Sequence, residues 1–136
     1  MDDPRFRAAD LAQVMAGPPG YAPDDTTAFW MPHGFYGGMT WVGRFEGCSP
    51  WERHPEADEF VYTLEGEVVV TVMADGGPVE VPVPAGSTYV VPRGHWHRVE
   101  AAAPVLLMGA TAGVTEHSEA EDPRAEAQRP DGEPAS

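Results

Sequence analysis

From Gly38 onward the chain is written in short runs in which side chains alternate in character, each closed by glycine or proline. Alternation with a period of two marks a strand, because successive side chains leave its backbone on opposite faces. Gly38 to Phe45 sets Met39, Trp41, Gly43 and Phe45 on one face and Thr40, Val42 and Arg44 on the other. Phe60 to Leu64 and Val68 to Met73 are β-branched and aromatic runs joined across Glu65-Gly66-Glu67, a tight turn. Asp75-Gly76-Gly77 predicts a second hairpin turn leading into Val79 to Val83. Ala28 to Met31, Thr88 to Val91 and Val105 to Met108 complete the extended set. Short strands at close, even spacing predict an all-β sandwich, barrel or jelly roll.

The middle strands are apolar on both faces. Val61 and Thr63 are in phase with Glu59, while Phe60, Tyr62 and Leu64 point the other way. A sheet with one solvated face would show a polar side. These strands are therefore expected to be covered twice, by a second sheet or by a partner subunit.

The ends read differently. Arg5 to Ala16 suggests a short strand followed by a helical turn, stopped by Gly17-Pro18-Pro19-Gly20. After His117 no large apolar residue occurs, so that segment has too little to bury to offset the entropy of ordering it. The expected division is an N-terminal extension over 1–27, a β-barrel over 28–117 and a disordered acidic tail over 118–136.

Composition narrows the function classes. A length of 136 residues suits one domain, and 15 glycines with 15 prolines reinforce the reading of many turns and little helix. A net charge of −14 argues against binding nucleic acid or anionic membranes, both of which call for clustered Lys and Arg. No apolar run is long enough to span a bilayer, and the N-terminus lacks the layout of a signal peptide. Cys48 is the single cysteine, which excludes an internal disulfide and reads as an inert small side chain. These features fit a cytoplasmic protein.

Two stretches carry the candidate chemistry: W-E-R-H-P-E-A-D-E from Trp51 to Glu59, and P-R-G-H-W-H from Pro92 to His97. Two imidazoles and one carboxylate, His54, His97 and Glu59, make the facial set used by non-haem Fe(II) enzymes, which leaves positions open for a substrate. Glu52, two residues before His54, projects to the same side and is either a fourth ligand or a surface charge. The donor types suit Fe, Mn, Ni or Zn alike. His95 is in phase with His97 and is the candidate catalytic acid or base, with an exposed turn histidine as the alternative. Trp51 and Trp96 flank the ligands and are expected to pack on the opposite face. Met39, Trp41, Val61, Thr63 and Met73 are expected to line a largely apolar small-molecule cavity.

Together these stretches resemble the two motifs of the cupin family. The first reads G, H-x-H, three or four residues, E, six residues, G; His54, Glu59 and Gly66 match its second His, its Glu and its final Gly. The second reads G, five residues, P-x-G, two residues, H, three residues, N; Gly86, Pro92, Gly94 and His97 match it. Glu52 stands at the first histidine and Ala101 at the final asparagine. The wording W-E-R-H-P-x-x-D-E and P-R-G-x-W-H is similar to a cupin subgroup that lacks the first histidine. The resemblance covers roughly Met39 to Thr111. It implies a double-stranded β-helix (jelly-roll barrel), a divalent transition metal, a small-molecule ligand and a homodimer. It also implies either an enzyme of oxygenase, isomerase, lyase or cyclase type, or a non-catalytic cupin serving as a sensor or accessory protein.

Overall fold

The computed structural model describes residues 3–124. The N-terminal extension forms a 3-10 turn at Pro4–Phe6 and a short helix α1, Leu11–Ala16, capped by Asp10, whose side chain accepts from the Ala12 and Gln13 amides. The strand expected there does not form: Pro4 starts the 3-10 turn, which Asp3 caps by accepting from the Arg5 amide. The helix stops at Gly17, as the following prolines require.

Eleven antiparallel strands follow: β1 Tyr21–Asp24, β2 Thr27–Trp30, β3 Gly34–Phe35, β4 Gly38–Cys48, β5 Trp51–Arg53, β6 Glu59–Glu65, β7 Glu67–Ala74, β8 Gly77–Pro84, β9 Thr88–Val91, β10 His97–Thr111 and β11 Glu116–Ser118. The organising element is β10. Its first half, His97 to Glu100, pairs with β7, and its second half, Leu106 to Thr111, pairs with β6. A register shift between Ala101 and Val105, around Pro104, turns the strand from one face of the barrel to the other. One layer thus carries β8, β7, the start of β10, β5 and β11. The other carries β9, β6, the end of β10, β4 and β2. The sheet curls into a jelly-roll barrel.

Glu65-Gly66-Glu67 is a turn, but not a hairpin: β6 and β7 do not pair, and the chain changes layer between them. Gly66 makes that corner at φ +84°, and a Cβ there would lie 2.8 Å from Val105 Cγ1. Asp75-Gly76-Gly77 does close a hairpin, with Ala74 opposite Gly77. Between the layers lies the core of Phe45, Val61, Val68, Val70, Val72, Val83, Val91, Val105 and Leu107. Thr63 is fully buried there and gives its hydroxyl to the Val83 carbonyl. On the outward face of β6 Phe60 is about 40% exposed, while Tyr62 and Leu64 are half-buried.

Near the C-terminus, Ser118 and Pro123 are buried, and Arg124 Nη1 donates to the Ala74 carbonyl, so residues 118–124 lie against the barrel. The remainder of the expected disordered tail, 125–136, lies outside the described residues. Among the described residues no helix is long and apolar enough to cross a membrane.

Candidate metal centre

Two backbone staples bring the sequence stretches together. The Gly94 amide donates to the His54 carbonyl at 3.0 Å, and the Arg93 amide donates to Asp58 Oδ1 at 2.8 Å. Gly94 takes φ +78°, which lets the Pro92–Gly94 turn present its amides to the first stretch. A third tie, from the Val114 amide to Glu56 Oε1, holds the segment after β10. The acidic residues of P-E-A-D-E thus divide the work: Glu56 and Asp58 clamp loops, and Glu59 enters the site.

Glu59 opens β6, paired with Thr111 of β10 and Val91 of β9. His97 opens β10, paired with Glu52 of β5 and Val72 of β7. His54 follows β5 by one residue. All three side chains point between the layers and are buried, with exposures of 3% for His54, 8% for Glu59 and 2% for His97. Their donor atoms all lie within 4.8 Å of one another. His54 Nε2 is 3.0 Å from Glu59 Oε2, and His97 Nε2 is 3.2 Å from Oε1. The two rings are 5.1 Å apart.

The outer ring nitrogens are held by a second set of contacts. His97 Nδ1 lies 3.1 Å from the His95 carbonyl, which can only accept; the proton therefore sits on Nδ1, and a neutral ring keeps its Nε2 lone pair for the site. His54 Nδ1 lies 3.1 Å from Thr115 Oγ1. Thr111 Oγ1 donates to Glu59 Oε2 at 2.5 Å and accepts from Trp41 Nε1 at 2.9 Å, a relay that fixes the carboxylate. Neither threonine carries a signal in sequence; their spacing to the ligands is long and set only by the closed barrel.

The donor set fits a divalent ion. His54 Nε2 is buried with no partner in hydrogen-bond geometry, close to the carboxylate but off its line. A buried nitrogen in that state needs a partner, and a metal between the three groups would supply it. Burial pushes the Glu59 carboxyl up, but the close approach of the His54 and His97 rings outweighs it and holds it at about 2. Burial lowers the His97 pKa, and the adjacent Glu59 more than reverses this, so it is raised overall.

Glu52 shares the inward side with His97 but stands outside the close group of donors. Burial, then the Glu59 charge, raises its carboxyl, and its Oε2 lies 3.8 Å from His117 Nε2. His95 is exposed and set apart from the trio, its Nδ1 3.2 Å from the Arg93 carbonyl. β10 begins at His97, so the alternation along that strand does not extend to His95 in the preceding turn. Trp51 and Trp96 pack together with Met73 on the opposite face. Met73 therefore lies outside the barrel interior: its amide donates to the Trp96 carbonyl, and it packs with Trp51 and Trp96. Val61 and Thr63 do face inward, as core.

The cupin-domain family model matches residues 46–108, which include both stretches. Among curated proteins none matches the sequence. Several solved structures are similar. A hydroquinone 1,2-dioxygenase, PnpCD, in complex with Cd2+ and 4-hydroxybenzonitrile shares 25% identity at a TM-score of 0.55, over 62% of this chain and 63% of that one. Bacillus subtilis oxalate decarboxylase, a protein with Mn(II) centres, shares 18% identity at 0.61, over 76% of this chain but only 30% of its own. A cupin-2 domain protein from Shewanella frigidimarina shares 21% identity at 0.55, over 63% of this chain and 80% of that one. The chain thus spans less than two thirds of the dioxygenase and under a third of the decarboxylase.

Proposed function

We propose that this protein is a metal-dependent cupin enzyme acting on a small organic molecule, with a divalent transition metal held by His54, Glu59 and His97. The observation that carries the reading is the convergence of two imidazole Nε2 atoms and one ionised carboxylate on one buried point, with His54 Nε2 otherwise unsatisfied. Three protein ligands leave coordination positions free, the arrangement of catalytic rather than structural sites. When bound, the ion would supply Lewis acidity or a dioxygen-binding centre.

The protein's own groups prepare the centre. The His95 carbonyl holds the His97 ring, Thr115 holds the His54 ring, and Thr111 holds the carboxylate. Val61, Val72 and Val91 close the inner side against water. Glu52 and His117 stand at the more exposed side, with side-chain exposures of 32% and 60%, where a substrate would arrive and where they can carry a proton. The similar solved structures include a dioxygenase in complex with Cd2+ and a decarboxylase with Mn(II) centres, which supports a metal-dependent enzyme of oxygenase, isomerase, lyase or cyclase type. We place the protein in the cytoplasm as a homodimer, with the outward face of β6 as the paired surface.

Elemental analysis of protein purified without an affinity tag tests this reading. Near-stoichiometric divalent metal is expected in the wild type, with most of it lost in His97→Ala and in His54→Ala. Metal content unchanged in both variants would overturn the site.

A further inference from the structure

The chain has no lysine, and all eight of its cations are arginines, set against a net charge of −14. Three of them, Arg53, Arg93 and Arg124, meet at one recess of about 390 Å³, together with His95, Trp96 and Asp75. A volume of that size suits a small metabolite. The recess is on the outer side of the sheet. Glu52 faces inward opposite His97, so Arg53 beside it in β5 faces outward, and its guanidinium stacks 4.8 Å over the Trp96 ring, which packs with Trp51 and Met73.

Two of the arginines are held in place. Arg53 lies opposite Glu116 in the β5–β11 pairing and bonds to its carboxylate at 2.6 and 2.7 Å. Arg124 is fixed by Asp122 and by the Ala74 carbonyl. Arg93 differs. Its backbone amide is tied to Asp58, but its guanidinium has no partner among the described residues. Trp96 forms one wall of the recess; it is only 6% exposed, and its Nε1 is buried behind that wall without a hydrogen-bond partner. Burying an N–H without a partner is costly, and native structures seldom do it without a reason. The one carboxylate lining the recess is Asp75, which already acts on Arg124.

We propose that this recess is a second binding site, for a small oxyanion such as a carboxylate or phosphate, received by Arg93 between the anchored Arg53 and Arg124, with Trp96 as the wall behind them. Guanidinium groups match the oxygens of either anion in paired hydrogen bonds, and stacking on Trp96 keeps the Arg53 plane in position. The site is separate from the metal centre and does not depend on it. The two share only the Pro92–His97 turn, whose His95 carbonyl serves His97 while the His95 side chain lines the recess.

Calorimetric titration of the wild type with inorganic phosphate and, separately, with succinate tests the proposal. A shift of the Trp96 indole N–H in 15N NMR serves as the local reading. Saturable binding of at least one anion is expected, with the Trp96 indole signal moving in step. Arg93→Ala, an exposed residue without side-chain bonds, should weaken it about tenfold or more. Arg44→Ala removes an exposed charge elsewhere and should leave it unchanged. Which anion wins identifies the ligand as carboxylate or phosphate. No saturable binding of either anion, or equal losses in Arg93→Ala and Arg44→Ala, would overturn the site. Metal content should be unaffected in Arg93→Ala, so the outcome is independent of the metal reading.

Discussion

Replacing Thr111 by valine tests whether the site is held from behind as the geometry implies. Valine keeps the volume and the β-branch that suit β10, and removes one hydroxyl. That hydroxyl donates to Glu59 Oε2 at 2.5 Å and accepts from Trp41 Nε1 at 2.9 Å. A hydrogen bond to a charged acceptor contributes about 1.5–3 kcal/mol. The Trp41 donor also loses its acceptor, at a cost near the lower end of about 1–3 kcal/mol because Trp41 is only half-buried. Stability of the metal-free protein should fall by about 2–4 kcal/mol in chemical denaturation. Losing a contact that orients a ligand typically weakens metal binding by about 10–100-fold. Competition with a chelator measures that loss. Thr111→Ser, which keeps the hydroxyl, should recover most of the affinity, and Trp41→Phe should lose stability with a smaller effect on metal. Wild-type metal affinity in Thr111→Val would refute the relay as a positioning device, whatever happened to stability.

Three further outcomes follow from the same structure. Glu52→Gln should weaken metal binding if its charge helps hold the ion, and Glu52→His should keep a metal while moving preference toward Zn, Ni or Cu; equal affinities and equal ranking in chelator competition would confine the ligands to His54, Glu59 and His97. In metal-free protein the depressed Glu59 carboxyl favours folding above its ordinary value of 4.5 and loses that contribution as pH falls toward about 2. Acid denaturation of Glu59→Gln should therefore lack a component that wild type shows across that interval, and superimposable pH profiles would contradict it. Light scattering at micromolar concentration should give twice the 14.6 kDa chain mass, and Phe60→Asp should shift it toward the monomer; a wild-type monomer would remove the homodimer.

The sequence shows strands and ligands well and long-range support poorly, for physical reasons. β6 and β7 are legible because valine, threonine and aromatics alternate, and Gly66 is legible as a turn. That the two strands lie in different layers is not, because local alternation says nothing of which strand lies alongside. β10 is hidden in part: Pro104 and the alanines before it blur the alternation at the register shift, so only its Val105 to Met108 portion stands out. His54, Glu59 and His97 stand out because each is a titratable side chain where a turn meets a β-patterned run. Thr111 and Thr115 do not, since threonine is ordinary in strands and their partners lie 52 and 61 residues away. His95 is the converse case: its spacing to His97 matches a strand, but β10 begins only at His97 and a period of two does not extend into the turn before it.

The central claim is that two imidazoles and one carboxylate hold a divalent ion. X-ray absorption on the metal-loaded protein counts those imidazoles directly. Two are expected in the wild type, two in His95→Ala and in His117→Ala, and one in any His97→Ala protein that retains metal. A wild-type count other than two, or a count that falls when His95 or His117 is replaced, would contradict the account.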